Sequence, residues 1–420
     1  MFQDKIIMRS SRLDRQLRIE GWNQPALDNA KIGVVGDDDL LASLYVMSAS
    51  ALGINHIVVL APSLDPLLVE TAKKLNPRFT LTHLEGFSTH PVIDELFKGC
   101  RLIVDLSHYG LANKLLLEKG SRENIPIIRG FCYEKNGDQG FKVFSYLRGR
   151  EWQELEQIIS SSHLPNRHFD DGVLDTIITG IVLEETKNLL MDQDVSDDLI
   201  SYARKQLNTP NDQQNILVVG SGALGIFVGL GLAYSKIQNI TFMDPDVIEI
   251  TNLNRQVLFY DAIGSDKAEI LSERLNNLFN MDNKAQITYF NKETDITSYG
   301  AVFDCVDNFE SRLVLSEKCK EQGKILISGG TSAEAGQVVI FDPIQNGATP
   351  AELLGLYDIL EKRNPETYQR ERAACIYQPD PSVIMTNQIT AGFMVDSYRM
   401  LLDGQKPGNI FYDSKSNTRF

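Results

Sequence analysis

The stretch "NILVVGSGALGIFVGLGLAYSKIQNITFMD", residues 215–244, decides the fold. A β-branched run, a glycine turn, a continuous apolar stretch and a second β-branched run ending at Asp244 read as strand, turn, buried helix and strand. That succession is a βαβ unit, whose strands run parallel. Residues 31–62, "KIGVVGDDDLLASLYVMSASALGINHIVVLAP", have the same organisation, and Gly36 falls on Gly220. Further along, "CRLIVDLSHYG" parallels "AVFDCVDNFES", and "IPIIRGFCYEKNGDQGFKVFSY" parallels "KILISGGTSAEAGQVVIFDP". An internal duplication is the simplest account, so the expected fold is α/β, with two doubly wound units in tandem.

The duplication sets the domain plan. Between the copies, "DDGVLDTIITGIVLEETKNLLM" has helical apolar spacing and "DQDVSDDLISYARKQLNTPNDQQ" is polar with a Pro-Asn turn. The expected division is residues 1–192 for the first unit, 193–212 for a linker and 213–420 for the second unit. Residues 344–372, "IQNGATPAELLGLYDILEKRNPETYQRER", are charged and partly helical inside the strand-rich second copy. They read as a mobile crossover segment that covers a substrate tail.

Composition narrows the function classes. A length of 420 residues gives each unit enough chain for a full core. The formal charge of −15, with dispersed Lys and Arg, argues against a nucleic-acid surface. An acidic face for a basic partner stays open. The five cysteines, Cys100, Cys132, Cys305, Cys319 and Cys375, contain no CxxC pair, so neither a disulfide framework nor a thiolate zinc site is expected. Cys305 and Cys319 read as core residues. The N-terminus "MFQDKIIMRSSR" has charges where a signal peptide needs an apolar core, and no apolar run reaches about 18 residues, the usual minimum for a membrane span. A cytoplasmic protein is expected.

The differences between the copies locate the chemistry. "GSGALG" supplies Gly220, Gly222 and Gly225, where absent side chains let a phosphate approach backbone N–H groups and a helix N-terminus. The first copy has Gly36, Asp38 and Leu41 at those positions, and a carboxylate there repels phosphate. Asp244, placed to hold ribose hydroxyls, aligns with Leu60, and Asp246 with Pro62. The first copy therefore keeps the fold and lacks the site. A glycine loop alone is equally compatible with a nicotinamide dehydrogenase or a structural turn. A dehydrogenase, however, leaves "NLNRQ" unexplained, whereas a triphosphate needs a fixed guanidinium and amides. Asn252, Asn254, Arg255 and Gln256 meet that need, and Lys267, in "IGSDKAE", adds a cation whose bland alternative is a solvated surface lysine. Asp307, in "DCVDN" at the end of a parallel strand, stands where such sheets bind ligands and where magnesium would sit, or else it caps the next helix.

"GSGALG", "MDPDVIEITNLNRQ", "IGSDKA" and "DCVDN", in this order, resemble the adenylation domain of ubiquitin-activating enzymes and their sulfur-carrier-activating relatives. The resemblance covers nearly all of residues 213–420, including "GNIFYDSKSNTRF", which is similar to the closing strands of that domain. The first half, through "RLDRQLRIEGWNQPALDNAKIGVVG", resembles the inactive half of two-part activating enzymes, so two Rossmann-like units forming an internal pseudo-dimer are expected. The resemblance implies that ATP and the C-terminal carboxylate of a ubiquitin-like protein or peptide give an acyl-adenylate and pyrophosphate. It implies that Asp244 holds the ribose, that Arg255, Gln256 and Lys267 neutralise phosphate and that Asp307 positions Mg2+. It also implies that Arg15, in "LDRQ", reaches the nucleotide from the inactive half; an ordinary surface arginine is the alternative.

Cys375, in "RERAACIYQPDPSVIMTNQITAGFMV", lies where the smaller activating enzymes of this family carry a thioester or sulfur-transfer cysteine. Its plain alternative is a buried cysteine packed as a small hydrophobe. Departures from the family are the missing zinc CxxC pairs and the missing catalytic-cysteine and ubiquitin-fold domains, so a conjugating enzyme would be recruited by another surface. The leading expectation is adenylation followed by a thioester on Cys375. The alternative is adenylation for thiocarboxylate formation or peptide modification without an enzyme thioester. A non-catalytic binding subunit suits the first half but not the second.

Overall fold

The computed structural model describes residues 11–37, 40–87, 90–148, 158–160, 169–208, 214–345, 347–362, 380–416 and 419–420. The first sheet contains β1 (Lys31–Val35), β2 (His56–Ala61), β3 (Thr80–Glu85), β4 (Leu102–Asp105), β5 (Ile127–Lys135), β6 (Asp138–Tyr146) and β7 (Ile200–Lys205). The second contains β8 (Ile216–Val219), β9 (Ile240–Met243), β10 (Lys284–Gln286), β11 (Ala301–Asp304), β12 (Ile325–Thr331), β13 (Ala335–Phe341) and β14 (Ile410–Asp413). Their orders, β3-β2-β1-β4-β5-β6-β7 and β10-β9-β8-β11-β12-β13-β14, trace one path twice, which is the expected duplication of a doubly wound unit. In each sheet five parallel strands are followed by two antiparallel ones. Strand order reverses between β8 and β9 on one side and β11 on the other, so the ligand crevice of the second sheet lies at their carboxyl ends.

The central strands β4, β8, β9 and β11 are buried at every residue, as strands covered on both faces must be. The longer helices are α1 (Leu40–Leu52), α2 (Pro66–Leu75), α3 (Gly110–Glu123), α4 (Gly172–Leu190), α5 (Ala223–Tyr234), α6 (Lys267–Phe279), α7 (Phe309–Gln322) and α8 (Ile384–Leu402). In α1 every residue after Leu40 is buried, and in α5 every residue from Ala223 to Ala233 is. A helix apolar all round must be enclosed, and α4 and α8 enclose these two.

The helices α4 and α8 join the halves. A Cβ on Gly180 would lie 2.6 Å from Ile389 Cγ1, and one on Gly392 would lie 2.3 Å from Ile177 Cγ1, so each glycine admits the other helix's side chain. Val46, Ile177, Phe227, Ile389 and Val395 belong to one core that ignores the division between the units. Polar contacts tie the same seam. Gln388 Nε2 donates to Ser48 Oγ at 3.0 Å. Arg204 Nε donates to Asp396 Oδ1 at 3.0 Å, Arg204 Nη2 to Asp171 Oδ2 at 2.9 Å, and Arg399 Nη2 to Asp171 Oδ2 at 2.8 Å. Arg419 pairs with Glu185.

Two expectations change. The stretch 193–212 contains β7, paired antiparallel with β6, so the first unit runs at least to Lys205. Its pattern, buried only at Ile200 and Arg204 with exposed or half-buried residues between and after, is that of an edge strand and reads from sequence as a linker. The alignment of the second strands also shifts by one residue. Gly36 N donates to Leu60 O as Gly220 N donates to Met243 O, so Leu60 matches Met243, Ala61 matches Asp244 and Ser63 matches Asp246. The first copy still lacks both carboxylates. Cys305 and Cys319 are core residues as expected, and burial pushes the Cys319 thiol up to about 12. Among the described residues no helix is long and apolar enough to cross a membrane.

Because Arg204 and Asp396 are both fully buried, Asp396→Ala removes one of the two carboxylates paired with a buried guanidinium. The expected loss is about 3–5 kcal/mol. Urea unfolding should show a lower midpoint with both halves melting together; an unchanged midpoint would remove this pair from the account of the seam.

Candidate functional site

The glycine turn after β8 is built by close approach. Gly220 has φ +97°, and a Cβ there would lie 2.5 Å from Cys305 O, in the turn that follows β11. A Cβ on Gly225 would lie 2.0 Å from Gly220 O. Side chains at either position would force the turn open. Gly222 is the N-cap of α5, and the group in front of it is Gln256 Nε2, 3.6 Å from where its Cβ would be. The turn therefore presents backbone N–H groups and a helix N-terminus to the crevice, facing an amide.

Asp244 follows β9 and is buried beside this turn. Its Oδ2 accepts from Ser221 N at 2.6 Å and its Oδ1 from Asp246 N at 2.9 Å. Burial raises the carboxyl above its ordinary range, against the pull of Lys267 and the two backbone N–H groups. Asp246 is more exposed, and its Oδ2 accepts from Lys267 Nζ at 2.9 Å. Lys267, at the first position of α6, is buried rather than a solvated surface charge.

The polar cluster between β9 and α6 is held by its own capping. Asn252 Oδ1 accepts from Glu249 N at 2.9 Å, closing a capping box over the short helical turn Ile250–Asn252. Arg255 is buried; its Nη1 donates to Thr251 O at 3.0 Å and to Asn254 Oδ1 at 2.8 Å. Burial, then the charge of Arg15, pushes its guanidinium down to about 9, while Asp307, Glu249 and Asp14 act the other way. Arg15 of the first half thus lies within electrostatic reach of Arg255, and its Nη1 donates to Asp380 O at 3.0 Å. Gln256 Oε1 is buried, and among the described residues it has no hydrogen-bond partner.

Asp307 is exposed beyond the end of β11. It does not cap α7; Asn308 does, accepting from Ser311 N at 2.8 Å. The turn that carries Asp307 is fixed by a buried ion pair, Arg312 Nε to Asp304 Oδ2 at 3.1 Å, with Arg312 Nη2 donating to Val306 O at 2.9 Å. Among the described residues no group of three or more metal-ligating side chains occurs. Asp307 nonetheless suits a magnesium ion that arrives on phosphates, because such an ion takes one or two protein carboxylates and fills its shell with phosphate and water.

The corresponding place in the first half is closed by its own side chains. His108 stands three residues past Asp105, as Asp307 stands three past Asp304. Its backbone N donates to Asp37 Oδ2 at 2.5 Å, and its Nδ1 lies 3.2 Å from the same oxygen. Asp37 follows Gly36 in the former phosphate turn, so the imidazole and the carboxylate occupy each other.

Of the expected site residues, the structure gathers Gly220, Gly222, Gly225, Asp244, Asp246, Lys267, Arg255 and Gln256 along one edge, with Arg15 and Asp307 within electrostatic reach of Arg255. Asn252 and Asn254 lie beside them with side-chain oxygens committed to internal hydrogen bonds. Cys375 and much of the crossover segment lie outside the described residues; of that segment, Pro350–Leu353 and Leu356–Lys362 are helical. Gln16, which contacts Asn254, was not singled out by sequence, although it adjoins Arg15 in "LDRQ".

A Haemophilus influenzae molybdopterin-synthase adenylyltransferase is 33% identical to this chain over 147 residues, 34% of this chain and 60% of that protein. An Aedes aegypti adenylyltransferase and sulfurtransferase MOCS3 is 33% identical over 135 residues, 31% of each chain. The chain therefore spans less than two thirds of these curated relatives. An E. coli MccB structure with MccA-N7isoASN aligns with 19% identity and a TM-score of 0.42, over 49% of this chain and 62% of that one. The ThiF family profile matches residues 203–418, half of the chain and the half that holds the glycine turn, Asp244, Arg255 and Lys267. The chain belongs to the ThiF family.

Proposed function

We propose that this chain is an ATP-dependent adenylyltransferase that activates the C-terminal carboxylate of a ubiquitin-like protein or peptide. The observation that carries the reading is the meeting, at the carboxyl edge of β8, of a glycine turn with Asp244, Lys267 and the buried Arg255, which lies within electrostatic reach of Arg15 from the other half. Holding two like charges together with one of them buried is costly, and a polyphosphate relieves it. Asp244 accepts from the ribose hydroxyls. Gln256 and the turn's N–H groups bind phosphate oxygens, and Lys267 exchanges Asp246 for a phosphate. Asn252 and Asn254 hold the loop that carries Arg255.

The chemistry needs no general base, since a carboxylate is ionised at neutral pH. Its oxygen attacks the α-phosphorus, the bond from that phosphorus to the α,β-bridging oxygen breaks, and pyrophosphate leaves with the electron pair. The chain contributes alignment and a fixed positive field. Magnesium, held through Asp307, supplies further neutralisation of the phosphates when bound. In the next step the Cys375 thiolate attacks the acyl carbon and expels AMP, leaving a thioester. A second reading has the adenylate delivered to a sulfur donor instead, and the names of the molybdopterin-synthase and sulfurtransferase relatives favour it. The cytoplasm is the proposed location.

Arg255→Ala and Arg15→Ala should each lower kcat/KM for ATP in ATP–pyrophosphate exchange by about 10- to 100-fold, the worth of one or two charge-assisted hydrogen bonds. Wild-type exchange in both variants would end the reading.

The raised Asp244 carboxyl generates a pH prediction. The carboxylate is the form that accepts from ribose, so nucleotide affinity falls as pH drops through a pKa above the ordinary ~3.9 of aspartate. Asp244→Asn should bind more weakly at neutral pH and lose that part of the acid limb; an identical limb in both proteins would assign it to another group.

Intact-mass measurement without reductant, on wild type and Cys375→Ala with Mg-ATP and the candidate carrier protein, separates the two fates of the adenylate. A thiol-sensitive adduct on wild type alone supports the thioester. Pyrophosphate exchange with no adduct on either chain supports delivery to an outside sulfur donor.

A further inference from the structure

We infer that Gln16, in the inactive half, is a positioning residue for the Arg255 guanidinium, acting through Asn254; this rests on the nucleotide-binding reading of the site. The connection is a chain of buried amides. Gln16 Nε2 donates to Leu52 O at 2.8 Å and to Gln24 Oε1 at 2.7 Å, which leaves Gln16 Oε1 to accept from Asn254 Nδ2 at 3.1 Å. Asn254 Nδ2 also donates to Ser382 O at 3.0 Å, and Asn254 Oδ1 accepts from Arg255 Nη1 at 2.8 Å.

The polarity of this chain is fixed. A backbone carbonyl only accepts, so Leu52 O holds the Gln16 amide one way round and Ser382 O holds the Asn254 amide one way round. Gln24 is itself anchored, its Oε1 taking the Trp22 Nε1 hydrogen at 2.9 Å and its Nε2 donating to Asp28 Oδ1 at 2.8 Å. Every amide in the series therefore points its oxygen toward Arg255, and the last oxygen lies against the guanidinium. Gln16 and Asn254 are fully buried, where water cannot substitute for a lost partner.

The consequence is a second contribution of the inactive half. Arg15 brings charge, and its neighbour Gln16 fixes the direction of a charge in the other half. Without Gln16 Oε1, Asn254 keeps one donor contact and gains freedom to turn, and the Arg255 guanidinium loses its defined plane. Bidentate recognition of phosphate depends on that plane.

The test is a double-mutant cycle read as nucleotide affinity by calorimetry, using Mg-ATP and the full chain. Gln16→Met keeps the volume and removes the hydrogen bonds; Gln16→Glu keeps the acceptor toward Asn254 and is the second variant should the first fail to fold. Gln16→Met should weaken ATP binding about three- to tenfold, the worth of one buried hydrogen bond. In the Arg255→Ala background it should change affinity less than about twofold, because nothing remains to be positioned. Gln16→Glu should weaken binding less than Gln16→Met. Equal losses in both backgrounds would overturn the inference while leaving the proposed function standing. Absence of ATP binding by the wild type would overturn both.

Discussion

The crossing of α4 and α8 is the constraint on which the rest depends. Gly180 and Gly392 let the two helices approach until Ile389 and Ile177 fill the space where a side chain would otherwise be. That approach merges the two cores into one and brings the segment before β1 against the loop before α6. Arg15 and Gln16 reach the second half only because of it. The seam is not purely apolar: Arg204, Asp396, Asp171 and Arg399 form a buried network whose charges match only in one register of the two halves. Breaking one member is expensive, so the network opposes sliding as well as separation.

Duplication left two copies of a polar cluster at the end of each central strand, and they diverged in an informative way. In the second half Asp304 is paired with Arg312 from α7 and bonded by Ser328 Oγ at 2.6 Å. In the first half Asp105 is paired with Arg129 at 3.1 Å, and the helix contributes Asn113 instead. The register of β5 and β12 places Arg129 where Ser328 stands, so guanidinium and small polar group have exchanged elements while the buried carboxylate kept its counter-charge. The crevice followed different needs. Asp37 and His108 fill it in the first half, where the second half has Ser221 and the exposed Asp307.

Much of this was legible in the sequence because the signals are local. β-branched runs, glycine turns and a shared spacing give the parallel core and its repetition, and Gly220 and Gly225 occupy positions where backbone atoms leave no room for a side chain. Aligning Asp244 with Leu60 was off by one because both strands end in apolar residues and only the hydrogen bond from the glycine turn fixes the register. β7 escaped notice because a half-exposed edge strand carries the polarity of a linker. Asp307 reads first as a ligand group and second as a helix cap, and Asn308 holds the cap. The role of Gln16 was out of reach, since its partner Asn254 lies 238 residues away and nothing in either segment announces the contact.

The central claim is that two halves with one fold build a single nucleotide site, with residues from both. A crystal structure with magnesium and a non-hydrolysable ATP analogue tests it most directly. The account predicts one nucleotide per chain, its phosphates against the turn at Gly220 to Gly225 and touched by both Arg255 and Arg15. A nucleotide in the first half, or one bound in the second with Arg15 still on the Asp380 carbonyl, would contradict it.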